Sequence, residues 1–273
     1  MTRKYQFEAL VAQTELVGEA YCRLTWSAPE MAAEARPGHF VTVRQNKSGF
    51  PLLRRPFSIH RVLDDGRLQI LFKVIGAGTR QLAESKPGDA IDVVGPLGDG
   101  LFRVDEKRPN VLLVAGGIGV APLLFLAETM PAQTKLIPVL LFGGATARDL
   151  PALDDFRNLG IEVRVRTEDG GAGRRGLVTD ELADVLSGLD PARTQLLACG
   201  PMPMLRAAAG MCAPRGVPCQ VSLETVMACG LGSCFGCAIE LQPDCAEAEV
   251  DYVRVCHEGP VFDAARIRWN EEP

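Results

Sequence analysis

The stretch Val111-Leu-Leu-Val-Ala-Gly-Gly-Ile-Gly-Val-Ala-Pro122 begins as a fully apolar strand, Val111 to Ala115, and runs into a loop of three glycines and a proline. A helix is expected from there through about Thr129. A strand that is apolar at every position is buried on both faces, as in a parallel sheet covered by helices. Outward from this stretch the alternation continues. Further strands are expected at Leu136 to Phe142, Glu162 to Thr167, Gln195 to Cys199 and Cys219 to Leu223. Helices fill the gaps, notably Asp149 to Asn158 and Asp180 to Leu186, the second with Thr179 as its cap and acids in its first turn. The pattern is a parallel α/β domain, whose ligands lie at the carboxyl ends of the strands.

The glycine loop departs from the G-x-G-x-x-G fingerprint, because Pro122 stands where the third glycine would be. The next strand ends in Phe142-Gly143-Gly144, without the acid that would hold an adenosine ribose, so a standard Rossmann site for FAD or NAD is disfavoured. Gly116, Gly117 and Gly119 still let a nicotinamide nucleotide approach the backbone, with its pyrophosphate near the helix N-terminus. Cys199-Gly200-Pro201 ends a later strand, where the thiol of Cys199 either lines a nicotinamide pocket beside Gly200 or is a buried core thiol.

Upstream, short strands are separated by turn signals. They are expected at Gln6 to Leu16, Ala20 to Trp26, His39 to Arg44, Phe57 to Val62, Arg67 to Val74 and Ala90 to Val94. Arg36-Pro-Gly38, Asp64-Asp-Gly66 and Lys86-Pro-Gly-Asp89 turn the chain between them. Six such strands suit a small antiparallel barrel, which removes exposed edges by closing on itself. In Arg54-Arg55-Pro56-Phe57-Ser58 a guanidinium able to grip a pyrophosphate precedes a hydroxyl able to hydrogen-bond a ring nitrogen; a solvated arginine pair before an ordinary strand reads equally well. Lys73-Val-Ile-Gly76-Ala-Gly78-Thr79 runs into a short helix, Thr79 to Glu84, where Thr79 is either an N-cap or a phosphate ligand.

Downstream lies Cys229-Gly-Leu-Gly-Ser-Cys234-Phe-Gly-Cys237, followed by Cys245 and Cys256. Cys-x4-Cys-x2-Cys with a distant fourth cysteine is the plant-type arrangement for a 2Fe-2S cluster. Zinc sites usually pair two Cys-x2-Cys knuckles, and only Cys234 and Cys237 make one. Disulfides lack support from any sign of an oxidising compartment. A Rieske centre would need two histidine ligands, and His39, His60 and His257 are not spaced for that. Spacing leaves Cys245 and Cys256 both open as fourth ligand, while Cys22, Cys199, Cys212 and Cys219 read as scattered buried thiols.

With 273 residues, 47% hydrophobic and 23% charged, the chain is long enough for two domains with real cores. A net charge of -5 without a basic run gives no footprint for nucleic acid. The N-terminus lacks the features of a signal peptide, and the apolar run from Val111 to Ala127 is too broken by glycine and proline to span a membrane. A soluble, cytoplasmic protein is expected.

Taken together, Arg55-Pro-Phe-Ser58, Gly76-x-Gly78-Thr79, Gly95-Pro-Leu-Gly98, Gly116-Gly-Ile-Gly-Val-Ala-Pro122, Cys199-Gly-Pro201 and the cysteine cluster resemble, in this order, the ferredoxin-NADP reductase superfamily. More closely, from about Tyr5 to Ala264 the chain resembles the electron-transfer subunits of class 1B, NAD-dependent dihydroorotate dehydrogenase. Met227-Ala-Cys229-Gly-x-Gly-x-Cys234-x-x-Cys237 and Val255-Cys256-x-x-Gly259-Pro-Val-Phe262 are the most discriminating parts. The resemblance implies a multidomain β plus α/β architecture: a six-stranded antiparallel flavin-binding barrel over residues 1–103, a parallel α/β nicotinamide domain over 104–224 and a C-terminal 2Fe-2S segment over 225–273. Its cofactors would be FAD, a 2Fe-2S cluster and NAD.

Carried over by that resemblance, Arg55, Pro56, Phe57 and Ser58 contact the flavin, with Ser58 near its reactive nitrogen. Leu71, Phe72 and Lys73 flank the adenosine and pyrophosphate, and Gly78 and Thr79 hold the phosphates. The ligands would be Cys229, Cys234, Cys237 and Cys256, with Cys256 preferred over Cys245 because it stands in the matching Cys-x-x-Gly-Pro-Val-Phe segment. The implied role, in pyrimidine biosynthesis, is to pass electrons from an FMN-containing dihydroorotate dehydrogenase catalytic subunit through the cluster and FAD to NAD, in a heterotetramer of two catalytic and two electron-transfer subunits. No residue here need act on dihydroorotate. The alternative is an NAD(P)H-dependent reductase subunit serving a hydrogenase or ferredoxin. An apolar surface around Leu231 and Phe235 is a candidate docking patch. Glu168 and Asp169 would repel a 2′-phosphate and favour NAD, against Arg174 and Arg175 nearby.

Overall fold

The structure, a computed structural model, describes residues 3–45, 50–130, 135–243 and 252–269. Cys245 lies outside the described residues. The first half closes into a barrel of six antiparallel strands: β1 (Tyr5–Val17), β2 (Tyr21–Ser27), β3 (Phe40–Gln45), β4 (Arg55–Val62), β5 (Arg67–Lys73) and β6 (Ala90–Leu97), in the spatial order β1-β2-β5-β4-β3-β6. Closure depends on β1, whose first half pairs with β6 and whose second half pairs with β2, the register shifting between Val11 and Gln13. A bulge of this kind bends a strand so that it serves two neighbours. Leu24, Trp26, Val41, Ile59, Ile70 and Val93 fill the interior. A short helix, α1 (Pro29–Glu34), adds Met31 to that core, and α2 (Ala77–Ala83) follows β5.

The second half is a seven-stranded sheet. Its members are β7 (Asn110–Gly116), β8 (Ile137–Gly144), β9 (Glu162–Thr167), β10 (Arg174–Arg175), β11 (Thr194–Cys199), β12 (Cys219–Ser222) and, from the far end of the chain, β15 (Val261–Asp263), in the order β10-β9-β8-β7-β11-β12-β15. All neighbours run parallel except β15, which lies antiparallel to β12 with Val221 opposite Phe262. Helices α3 (Ala121–Thr129), α4 (Leu153–Asn158), α5 (Val178–Ser187) and α6 (Met202–Cys212) cover the sheet. The remaining strands, β13 (Ala238–Glu240) and β14 (Tyr252–Arg254), pair with each other beside the cysteines.

Two helix starts in the sheet domain differ from the expectation. Thr179 does not cap α5: the helix begins at Val178 with Leu177 in the cap position, and the Asp180 carboxylate reaches back to accept from the Leu177 N–H at 2.8 Å. An acid at the third helical position can satisfy the orphan donor as well as a threonine before it. Asp149 likewise lies outside α4, closing a tight 3-10 turn, Ala147–Asp149, capped by Thr146. The helix α6 fills the gap between β11 and β12, where a helix was expected without stated bounds.

Barrel and sheet interlock. Phe125 of α3 packs into the barrel core, while Tyr21 and Leu71 of the barrel join the core of the sheet domain. Around that apolar contact the face formed by β2, β5 and β4 is charged. Arg61 Nε donates to Glu128 Oε1 at 2.7 Å, Arg23 pairs with Asp155, and Lys73 Nζ lies 2.8 Å from Asp149 Oδ1. No helix among the described residues is long and apolar enough to cross a membrane.

Candidate functional site

Arg55, Pro56, Phe57, Ser58, Leu71, Phe72, Lys73, Gly78 and Thr79 all line one cavity of about 430 Å³, between β4, β5 and α2 on one side and Ile118 and Ala121 on the other. The two neighbouring arginines part company here. Arg54 is held by Asp92 at 2.6 Å, an acid that also pairs with Arg44 at 3.0 Å. Arg55 instead turns along the cavity, its Nη1 donating to the Leu53 carbonyl at 2.6 Å. Phe57 and Phe72 face each other with ring centroids 5.2 Å apart. The Thr79 hydroxyl is engaged inside the turn: Oγ1 accepts from the N–H groups of Ile75 and Gly76, each at 3.0 Å, and donates to the Gly76 carbonyl. Gly76, not Thr79, occupies the N-cap of α2.

A second cavity, about 540 Å³, opens at the carboxyl ends of the parallel strands, where Gly116, Gly117, Gly119 and Gly200 form part of its wall. A Cβ on Gly119 would collide with the Cys199 carbonyl, so only glycine lets the loop seat against β11. Cys199 itself is fully buried and lines neither cavity. Burial, with the nearby Glu224 carboxylate adding to it, pushes its thiol well above the ordinary range.

Three side chains join the cavities, and of these sequence reasoning singled out Lys73 but neither Ile118 nor Glu224. Lys73, Ile118 and Glu224 line both. Glu224 is exposed to the open cleft, and partial desolvation by the cleft walls raises its carboxyl above the usual range. It stands two residues beyond β12, where the carboxyl-end rule for α/β sheets would look for it. The hydrogen bond to Asp149 raises the Lys73 ammonium, and the same bond lowers Asp149. Tyr21 completes the group, its hydroxyl donating to Asp149 Oδ1 at 3.3 Å.

The cysteine loop begins two residues after Met227, which also lines the first cavity. A Cβ on Gly230 would stand 2.8 Å from Thr42 Cγ2, so the loop rests directly on β3 of the barrel. The four thiols fall into two pairs. Cys229 and Cys234 lie beside each other toward the surface, and Cys237 and Cys256 do so in the interior, where they are 3% and 2% exposed. Backbone N–H groups point at the sulfurs: Leu231 donates to Cys229 Sγ at 3.4 Å, Gly232 to Cys256 Sγ at 3.2 Å and Cys256 to Cys237 Sγ at 3.4 Å. Burial alone would raise the Cys229 thiol, but donors from Leu231, Cys234 and Ser233 outweigh it and bring it down to about 6. Burial and the Cys237 thiol push Cys256 up to about 12.

Two irons, each needing two thiolates and sulfurs that accept from the backbone, suit this donor set. Among the described residues no three His, Cys, Asp or Glu side chains converge on one ion position, the geometry a single zinc would require. Arg254 braces the loop: Nη1 donates to the Gly232 carbonyl at 2.6 Å, the guanidinium lies 4.8 Å from the Phe235 ring centroid, and Glu258 holds its other edge. Leu231 and Phe235 are 45% and 58% exposed.

A barrel with a flavin-sized cavity, abutting a nucleotide cleft and an iron-sulfur loop, defines a flavin- and nicotinamide-dependent oxidoreductase with an appended 2Fe-2S segment. The chain is 36% identical to the dihydroorotate dehydrogenase B (NAD(+)) electron transfer subunit of Desulforamulus reducens, over 96% of this chain and 98% of that one, and 40% identical to that of Caldanaerobacter subterraneus subsp. tengcongensis, over 85% and 86%. It belongs to the family of dihydroorotate dehydrogenase B electron transfer subunits. Residues 224–268 match the iron-sulfur cluster binding domain of dihydroorotate dehydrogenase B, and residues 113–210 match an oxidoreductase NAD-binding domain. Among solved structures, that of an NADH-dependent reduced ferredoxin-NADP oxidoreductase, studied for flavin-based electron bifurcation, superposes with a TM-score of 0.81 at 28% identity, covering 96% of this chain and 90% of that one.

Proposed function

We propose that this chain carries electrons from a dihydroorotate dehydrogenase catalytic subunit, through its 2Fe-2S cluster and FAD, to NAD. Nicotinamide exchanges hydride, the cluster exchanges single electrons, and a flavin converts between the two. The observation that supports this reading best is adjacency: the flavin cavity shares Lys73, Ile118 and Glu224 with the nucleotide cleft and reaches Met227, two residues before Cys229.

The chain's own residues divide the work. Arg55, with the N–H groups of Gly78 and Thr79, would hold the FAD phosphates, since the Thr79 hydroxyl is engaged in its turn. Phe57 and Phe72 would shelter the ring, Pro56 and Leu71 shape its seat, and Ser58 would hydrogen-bond the flavin edge near its reactive nitrogen. Gly116, Gly117, Gly119 and Gly200 would receive the nicotinamide nucleotide, and Cys199 would serve as the buried support beneath Gly119. Cys229 with Cys234, and Cys237 with Cys256, would each hold one iron. The more exposed pair, framed by Leu231 and Phe235, would then face the partner.

We divide the chain at 103/104 and 224/225, and assign the catalytic partner an FMN, a two-plus-two heterotetramer and a cytoplasmic location. Preference for NAD follows from Glu168, which lines the cleft, while Arg174 is held by Glu181 and Asp184 and Arg175 donates to the Glu168 carbonyl. The test is co-expression with the catalytic subunit and an assay of dihydroorotate-dependent NAD reduction, with Cys256→Ser as control. Full activity and an intact cluster in that variant would show the ligand set to be wrong. The likeness to the ferredoxin-NADP oxidoreductase favours a second reading, a reductase serving ferredoxin. Ferredoxin reduction without any dihydroorotate-dependent activity would replace the first reading with that one.

A further inference from the structure

His60 lies where β4 breaks its regular pairing. Ile59 stands opposite Ile70 and Arg61 opposite Gln69, so His60 is the extra residue of a β-bulge. A bulge re-aims the side chains around it. Here the imidazole turns out of the barrel onto the start of α3, where Nδ1 lies 2.8 Å from the Ala121 carbonyl oxygen. A carbonyl only accepts, so Nδ1 carries the proton and Nε2 is the bare nitrogen. Nε2 is buried and has no partner among the described residues. The ring is fully buried, and burial lowers it to about 3, with Arg23 and Arg61 adding to the effect against the Ala121 bond, so the imidazole is neutral at physiological pH.

The bond has a particular location. Two residues before His60 is Ser58, on the flavin side of the cavity; Ala121 and Ile118 form the opposite wall. Ile118 also lines the nucleotide cleft, and Ala121 opens the helix behind the glycine loop. The next residue along the bulge, Arg61, reaches the far end of the same helix through Glu128. The bulge therefore holds α3 at both ends, and the His60 end lies at the gap between the two cofactor sites.

We infer that His60 is a positioning residue: by donating from Nδ1 to Ala121 it sets the separation between the flavin-holding strand and the glycine loop, and so the contact of flavin and nicotinamide rings across which hydride passes. This rests on the flavin–nicotinamide reading proposed above. In the direction that is simplest to assay, a hydride, two electrons and one proton, leaves the dihydronicotinamide and arrives on the flavin.

The test uses the FAD-loaded full chain. His60→Asn retains a donor at the place of Nδ1, and His60→Leu removes it; His60→Met takes the place of leucine if that variant does not load FAD. Each is titrated with NADH for affinity and for the long-wavelength charge-transfer absorbance of stacked rings, and flavin reduction is followed by stopped flow. The leucine variant is expected to lose that absorbance and about tenfold or more in reduction rate, with NADH affinity changed by less than about twofold, while asparagine stays within about threefold of wild type. A leucine variant with wild-type rate and absorbance overturns the inference, and so does equal loss in both variants. If the wild type binds FAD but is not reduced by NADH, the broader functional reading fails and the role of His60 falls with it.

Discussion

Lys73 Nζ lies 2.8 Å from Asp149 Oδ1, joining the wall of the flavin cavity to the wall of the nucleotide cleft. Lys73 is the only cation lining that cleft among the described residues, and Asp149, Glu168 and Glu224 line it too. A dinucleotide pyrophosphate must therefore share the ammonium with Asp149. Asp149→Asn should tighten NADH binding by about twofold to fivefold, while a pair this exposed costs less than about 1 kcal/mol of stability when lost. Equilibrium titration checks the first and thermal unfolding the second; weaker binding would mean that Asp149 serves to aim Lys73.

Glu224 predicts a pH effect of definite sign. Desolvation raises its carboxyl in the folded chain, so the folded state binds the proton more tightly than the unfolded one. Its effect is most favourable below the ordinary glutamate pKa and is lost as pH rises through the raised folded value. Glu224→Gln should therefore melt higher than wild type at neutral pH, with the difference closing as pH falls to about 4. Melting curves of the FAD-loaded protein across that range decide it; a constant offset would assign the change to packing.

Glu168 ends the edge of the cleft where an adenosine would lie, and the arginines after it are occupied by Glu181, Asp184 and the Glu168 carbonyl. Glu168→Gln should raise the NADPH-to-NADH ratio of kcat/KM by on the order of tenfold, about 1.4 kcal/mol. An unchanged ratio places the discrimination elsewhere.

Phe235 is exposed yet braced against Arg254. A rigid aromatic of this sort suits the centre of an interface, where truncation commonly costs about 2 kcal/mol or more. Phe235→Ala should weaken association with the catalytic subunit by about 30-fold, with iron content unchanged. Loss of iron with unaltered affinity would make the ring a shield for the cluster.

How much of this was legible in the sequence varied with the kind of signal. Period-two strands and apolar runs placed all six barrel strands and the central sheet within a few residues, because burial dictates those patterns directly. The cysteine spacing pointed to a 2Fe-2S segment but left Cys245 and Cys256 open, and only the family resemblance chose Cys256. What escaped depended on tertiary contact. Strand β15 is three residues long and acquires its meaning only by pairing with β12. The motif picked Arg55, but only the fold shows that its neighbour Arg54 is held by Asp92. Glu224 and His60 look ordinary in sequence, since nothing local records that one borders two cavities and the other bulges onto a neighbouring helix.

The pairing of β15 with β12 also orders events during synthesis. Cys256 precedes Val261 by five residues, so the last thiol and the last strand of the sheet leave the ribosome almost together. Until then β12 is an open edge, able to pair with another chain, and the thiol proposed as fourth ligand is missing. The proposed fourth ligand and the strand that covers the edge of β12 thus become available together, and a truncation before Cys256 removes both.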